Sequence, residues 1–369
     1  MINGVASEIN PAVASIAGKA PVRIPSLDGL RAVSIGFVLA FHIIGMAAFG
    51  GAFSDLGNLG VRIFFVISGF LITDLLLREQ DRNGKISLRR FYARRTLRIF
   101  PAFYVFLSAI GICASIGWIA IHKVDLLEAG AYIINYFPGY QHSRYVRHIW
   151  SLAVEEQFYL LWPGVLSLAG KRRGLMIAAA FILIAPAIRM TYWFFIPNMH
   201  DMMDRRFETV ADALATGCVL AGAQKWLSSQ TAYNRFLRSP LFYCVPLIVL
   251  LDSVFVTPHP RISYGIGITI LNVGIALCID RWVRYPQGVV AAALNSAPLR
   301  AVGVLSYSIY LWQQPFLDSD NNAAFTPLLL SLLAIAACSV GSYFLIEQPF
   351  QRLRSRFSPG QPAVALESR

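Results

Sequence analysis

Arg31 and His42 stand eleven positions apart inside one apolar run, and the ten residues between them, AVSIGFVLAF, carry no charge. On an α-helix eleven steps are just over three turns, so the two side chains share a face about 16 Å apart along the axis. An ionisable group at membrane depth is costly and is read first as functional. An imidazole oriented by a carboxylate is the usual general base; it needs a hydroxyl proton to remove and a cavity that admits the hydroxyl. The acids that could orient His42 are Glu155 and Glu156 in IWSLAVEEQFYLLWP. Adjacent helical residues point about 100° apart, so one of the two faces the histidine.

Counting residues from the ends of the apolar runs puts His42, Glu155 or Glu156, Arg189 and Asp212 in one layer of the outer half of a bilayer. Arg189 and Asp212 have two readings: a substrate-binding pair, or an ion pair that holds helices together. The run SYSIYLWQQPF gathers Tyr307, Tyr310, Trp312, Gln313 and Gln314. It reads either as an interfacial aromatic belt or as a sugar-binding cluster of which Tyr310, Trp312 and Gln313 are the substrate-binding candidates.

A second chemistry-bearing stretch is REQDRNGKISLRRFYARRTLR, residues 78–98, with eight basic residues against two acids. Arg90, Arg94 and Arg98 recur every four residues and form a helical stripe, with Arg95 beside it. This is either an amphipathic surface on anionic lipid or a docking site for a phosphorylated ligand, since guanidinium groups grip phosphate bidentately.

These residues must be positioned by membrane helices. Hydrophobic residues make up 56% of the 369 and charged residues 14%, against roughly 25% charged in soluble domains. Ten runs approach the ~20 residues that span a bilayer: 27–49, 58–77, 97–121, 150–170, 174–196, 207–224, 240–256, 262–280, 300–317 and 325–347. The expected fold is an all-α polytopic bundle. With the N-terminus inside, 24 of the 32 Lys and Arg fall on the cytoplasmic side, so both termini are expected in the cytoplasm. The net charge of +12 is thereby explained by topology, and no nucleic-acid partner is expected.

Residues 1–23 lack an apolar core and read as a loose cytoplasmic leader, residues 24–355 as the membrane domain, and 356–369 as a polar tail. The segment 131–140 is too short to span and reads as a re-entrant or interfacial piece. The five cysteines lie in apolar runs without metal-ligand spacing, and no metal site is expected. G-x-G-x-x-G, P-loop, HExxH and G-x-S-x-G motifs are absent. Ser68–Gly69 reads as helix packing.

In order along the chain, SLDGLRAVSIGFVLAFH, GNLGVRIFFVISGFLIT, FYARRTLRIFPAFY, WSLAVEEQFYLLWP, RRFETVADALATGCVLAG, SYSIYLWQQP and IEQPF resemble the motifs of the acyltransferase-3 family. The resemblance covers about residues 24–355, and the chain looks like the form without a fused periplasmic esterase-like domain. It implies an integral-membrane O-acyltransferase of the bacterial inner membrane. Acyl-CoA, usually acetyl-CoA, would be the cytoplasmic donor substrate, with no permanently bound cofactor. A hydroxyl of a cell-surface or secreted glycan or glycolipid would be the acceptor. Carried onto this chain, it implies His42 as base with Arg31, Glu155 and Glu156 as catalytic partners, and Arg90, Arg94, Arg95 and Arg98 as CoA-phosphate ligands. Gln313 stands where some relatives have His, so no second catalytic imidazole is expected, and Arg62 is given no role. The competing class is a polytopic transporter whose buried His, Glu and Arg relay protons, or more remotely a non-catalytic export scaffold.

Overall fold

The computed structural model describes residues 24–46, 56–138, 142–256, 259–317 and 328–354. The leader 1–23 and the tail 356–369 lie outside the described residues. Among the described residues the chain is all-helical.

Helix α1 (Pro25–Met46) opens with proline and carries Asp28 in its first turn, where a missing N–H and an acid both suit a helix start. It packs against α2 (Leu56–Asn83). Helix α3 (Leu88–Ser115) starts at Ser87, whose hydroxyl accepts from the Arg90 N–H at 3.5 Å, and absorbs Pro101 in its interior. A short α4 (Lys123–Gly130) and a 3-10 turn at Ile134–Tyr136 occupy the connection predicted to be re-entrant.

Helix α5 (Ile149–Phe195) consists of two helices that meet at Gly170; a Cβ on Gly174 would lie 3.6 Å from Leu166 Cα, so the second half turns back beside the first. Gly170 breaks it with φ 75° and ψ 170°, a conformation open to a residue without Cβ. The break falls between the two segments predicted over 150–170 and 174–196. There follow α6 (Asp212–Ser229), α7 (Thr231–Arg238), α8 (Cys244–Leu251), α9 (Ile268–Arg284), α10 (Val289–Leu294), α11 (Ala297–Gln313), α12 (Leu328–Ser342) and α13 (Gln348–Arg354).

Six described helices are long and apolar enough to cross a membrane, or seven if α7 and the bent segment Pro240–Val256 count as one span. The sequence expectation was ten. The difference has identifiable causes. The count takes Ile149–Phe195 once although Gly170 divides it into two helices, and α11 has only 17 residues.

Close approach of helices α1, α2 and α6 sets the register of the site. A Cβ on Gly60 would lie 2.5 Å from the Ser34 carbonyl oxygen and 3.0 Å from Val38. Helices α1 and α2 are thus antiparallel with Gly60 beside residues 34–38, which brings Ser68 level with Asp28–Arg31. Gly69 and Gly217 interlock in the same way: their Cβ positions would strike the Leu214 and Val66 carbonyl oxygens at 1.9 and 2.1 Å. Small residues let membrane helices touch backbone to backbone. We call the end of the bundle where α1 ends and α5 begins the upper end, which the charge distribution predicts to face outward.

Candidate functional site

The polar side chains of the core form two groups, one above the other. In the lower group Arg31 pairs with Asp28 at 3.7 Å. The Arg95 guanidinium lies 3.6 Å over the ring of Tyr159. The Tyr159 hydroxyl donates to Ser68 Oγ at 3.0 Å, and Ser68 Oγ donates to Glu155 Oε1 at 2.6 Å. Arg31 lies in the electrostatic field of Tyr159, Arg95 and Glu155, and Glu156 in that of Arg95 and Glu155. Two cations thus share one half-buried cluster with Glu155 and Glu156, and the Nε of Arg95 is buried without a hydrogen-bond partner among the described residues. Below, Trp162 Nε1 donates to Thr73 Oγ1 at 2.9 Å.

The upper group is built on His42, half-buried in the last turns of α1. Facing it in electrostatic contact is His148, the residue at the start of α5. His148 is 6% exposed. Its ring is edge-on to Phe106 at 5.7 Å and tilted against Tyr310 at 5.4 Å. Its backbone is pinned: the Tyr310 hydroxyl donates to the His148 carbonyl at 2.9 Å and lies 2.6 Å from Ser151 Oγ. Trp312 also stands edge-on to Phe106, at 5.3 Å.

The vertical distance between the groups is fixed twice. On α1 eleven residues separate Arg31 from His42, and on α3 eleven separate Arg95 from Phe106, about 16 Å each.

This geometry changes several sequence expectations. Glu155 and His42 do not share a layer. Helix α5 begins at Ile149, so Glu155 lies about 10 Å further down the helix than His148, and its carboxylate is taken by Ser68. The group facing His42 is an imidazole. The expectation of no second imidazole looked at position 313, whereas His148 enters from the connection before α5.

The arginine stripe also divides. Arg94 bonds the buried Glu79 at 3.0 Å, Arg98 lies in the field of Glu347, Arg90 is exposed, and Arg95 lies over the Tyr159 ring. Four residues per step is slightly more than one helical turn, so the stripe drifts round the helix, and Arg94 and Arg98 meet acids at different heights.

Arg189 and Asp212 belong to neither group. Both are fully buried, and Arg189 Nη1 bonds Asp212 Oδ2 at 2.8 Å and the Thr209 carbonyl at 3.0 Å. Its Nε bonds the Tyr264 carbonyl at 3.0 Å and its Nη2 the Thr269 hydroxyl at 3.2 Å. These bonds make Arg189 a clasp between α6, α9 and their neighbours, while Asp212 Oδ1 is buried without a hydrogen-bond partner among the described residues. Tyr310, expected to bind substrate, spends its hydroxyl on His148 and Ser151. Trp312 and Gln313 lie in the upper group with polar atoms to spare: Trp312 Nε1 and Gln313 Oε1 are buried without partners among the described residues.

Sequence reasoning missed His148 and Ser68. His148 lies two residues before the Trp150–Ser151 motif, and only its position outside the apolar run hid it. Ser68 was read as packing, and nothing local distinguishes it from a packing serine; its partners come from α5.

Outside the core, Asp125, Glu128 and His142 bring ligand atoms within 4.8 Å of one another. His142 Nε2 meets Glu128 Oε2 at 2.6 Å, and Asp125 Oδ2 accepts the Ser143 N–H at 2.8 Å. These contacts staple the segment between α3 and α5.

Comparison with known proteins places this geometry in context. Residues 24–347 match the acyltransferase domain family. The peptidoglycan O-acetyltransferase OatA of Listeria monocytogenes is 29% identical over 80% of this chain and 49% of its own length. The putative peptidoglycan O-acetyltransferase YrhL of Bacillus subtilis is 28% identical over 89% of this chain and 55% of its own. The O-acetyltransferase OatA of Staphylococcus aureus is 29% identical over 90% and 58%. The chain spans about half the length of these relatives. No solved structure matches it. With the family covering nearly the whole helical bundle and both polar groups inside it, the chain belongs to the acyltransferase domain family.

Proposed function

We propose that the chain is a bacterial inner-membrane O-acetyltransferase. It moves an acetyl group from acetyl-CoA, entering at the lower end, to a hydroxyl of a cell-wall glycan at the upper end. The observation that carries this reading is the vertical separation of the two polar groups. Arg31 and Arg95 hold positive charge at the lower level, His42 waits about 16 Å above, and an extended pantetheine arm can thread that distance. Arg95 keeps one unpartnered donor for the incoming CoA, and the exposed Arg90 adds charge at the mouth. The names of the relatives make peptidoglycan the acceptor class to test first.

At the upper level the neutral imidazole of His42 takes the proton of the acceptor hydroxyl. The oxygen attacks the thioester carbonyl, the carbon–sulfur bond breaks, and the thiolate recovers the proton from His42. Transfer is direct in this reading, and the aligned helices supply orientation. Glu155, Ser68 and Tyr159 keep Arg95 and Arg31 in place; their effect on His42 is through the position of α1. The test is reconstitution of the full chain in vesicles with acetyl-labelled acetyl-CoA inside and peptidoglycan strands outside. Label should appear on the strands with wild type and not with His42→Gln. Label transfer by His42→Gln at the wild-type rate would reject the base assignment.

A further inference from the structure

Four polar atoms of the upper group are buried without hydrogen-bond partners among the described residues: both ring nitrogens of His148, Trp312 Nε1 and Gln313 Oε1. The Leu311 backbone makes a weak hydrogen bond to the imidazole, outside the geometry of an ordinary one. Buried polar groups are almost always bonded, and each exception asks for an explanation. The Phe106 ring touches both the His148 and the Trp312 rings, and Gln313 follows Trp312 in the chain. The stronger hydrogen bonds here go to backbone: Tyr310 and Ser151 both donate to the His148 carbonyl and leave the ring with the weak Leu311 contact among the described residues.

We propose that His148, with Trp312 Nε1 and Gln313 Oε1, forms the subsite for the acceptor sugar, directly across from His42. The chemistry of the four atoms selects the ligand class. A neutral imidazole has one donor and one acceptor, the indole adds a donor, and the amide oxygen adds an acceptor. A phosphate or carboxylate would ask for donors only, and so would a thioester carbonyl. Neighbouring sugar hydroxyls each give and take a hydrogen bond, and they match this mixed set. The edge-on aromatic walls of Phe106 and Trp312 suit the apolar face of a pyranose. His148 thereby holds the sugar so that one hydroxyl meets His42. This rests on the acetyl-transfer reading above but adds a residue and a role to it.

The experiment measures binding separately from turnover. Full-length protein in detergent is titrated with soluble strands of alternating N-acetylglucosamine and N-acetylmuramic acid, and in parallel with acetyl-CoA. The proteins are wild type, His148→Phe and His148→Gln. Phenylalanine keeps the ring and removes both polar atoms; glutamine restores one donor and one acceptor. His148→Phe should weaken strand binding by about tenfold or more, the loss of buried hydrogen bonds. Acetyl-CoA affinity should stay within about twofold, a change too small to mark a lost contact. His148→Gln should recover most of the strand affinity and raise the strand KM while sparing kcat. Undiminished strand binding by His148→Phe overturns the proposal. So does a fall in both affinities together in both variants, which would make His148 a structural residue. Wild type that binds acetyl-CoA but no strand overturns this subsite and leaves the donor reading standing; wild type that binds neither overturns both.

Discussion

Replacing Ser68 by alanine removes one oxygen on which the lower group converges. The Tyr159 hydroxyl loses its acceptor at 3.0 Å, and Glu155 loses its donor at 2.6 Å. Tyr159 is 2% exposed, so its hydroxyl has no solvent to turn to. A buried group stripped of its partner costs about 1–3 kcal/mol, more when charged; two such groups place the loss for Ser68→Ala at about 2–5 kcal/mol. Tyr159→Phe leaves the ring under Arg95 and removes a single hydrogen bond, so its loss is about 1 kcal/mol. In the double variant only Glu155 is left unpaired. Its loss should fall short of the sum of the singles by about 1 kcal/mol. Denaturation of the three variants in mixed micelles, followed by tryptophan fluorescence, measures all of these. Strict additivity, or a Ser68→Ala loss below about 0.5 kcal/mol, the range of ordinary surface substitutions, would refute the Tyr159–Ser68–Glu155 chain.

Asp212→Asn leaves the fully buried Arg189 charge unbalanced and should cost about 3–5 kcal/mol in the same assay. The paired change Arg189→Met with Asp212→Leu should cost less than either single change. Gly217→Val forces its side chain toward the Val66 carbonyl, 2.1 Å from where a Cβ would stand; folded protein recovered by size-exclusion chromatography should drop sharply. Arg90→Ala touches no buried partner and should leave stability within about 0.5 kcal/mol, whereas Arg94→Ala strips the buried Glu79 of its ion pair and should destabilise measurably.

The sequence made the bundle legible because apolar length and basic-residue placement are read one segment at a time. It made Arg31 and His42 legible because both lie on one helix, where spacing alone sets their relation. Glu155 was placed at the wrong height for a physical reason. Its depth was measured from the assumed start of a span, whereas its true level is set by where α5 begins relative to α1 and α2. The close approach of Gly60 to Ser34 and of Gly69 to α6 fixes that register, and no single segment reveals it. Periodicity put Arg90, Arg94 and Arg98 on one face of a single helix, but the acids that meet Arg94 and Arg98, Glu79 and Glu347, come from other helices and are not legible in that stretch. His148 escaped because hydropathy assigned it to a connection, and its meaning arises from Tyr310 and Phe106, distant in sequence.

The central claim is that donor recognition and proton removal are carried out at two levels about 16 Å apart. The most direct test is acetyl-CoA affinity measured beside acetyl transfer for Arg95→Ala and His42→Ala. The account predicts that Arg95→Ala weakens acetyl-CoA binding by about tenfold or more, as expected for a lost charge-assisted contact. It predicts that His42→Ala binds acetyl-CoA like wild type and transfers nothing. Equal loss of affinity in the two variants, or transfer that survives without His42, would contradict it.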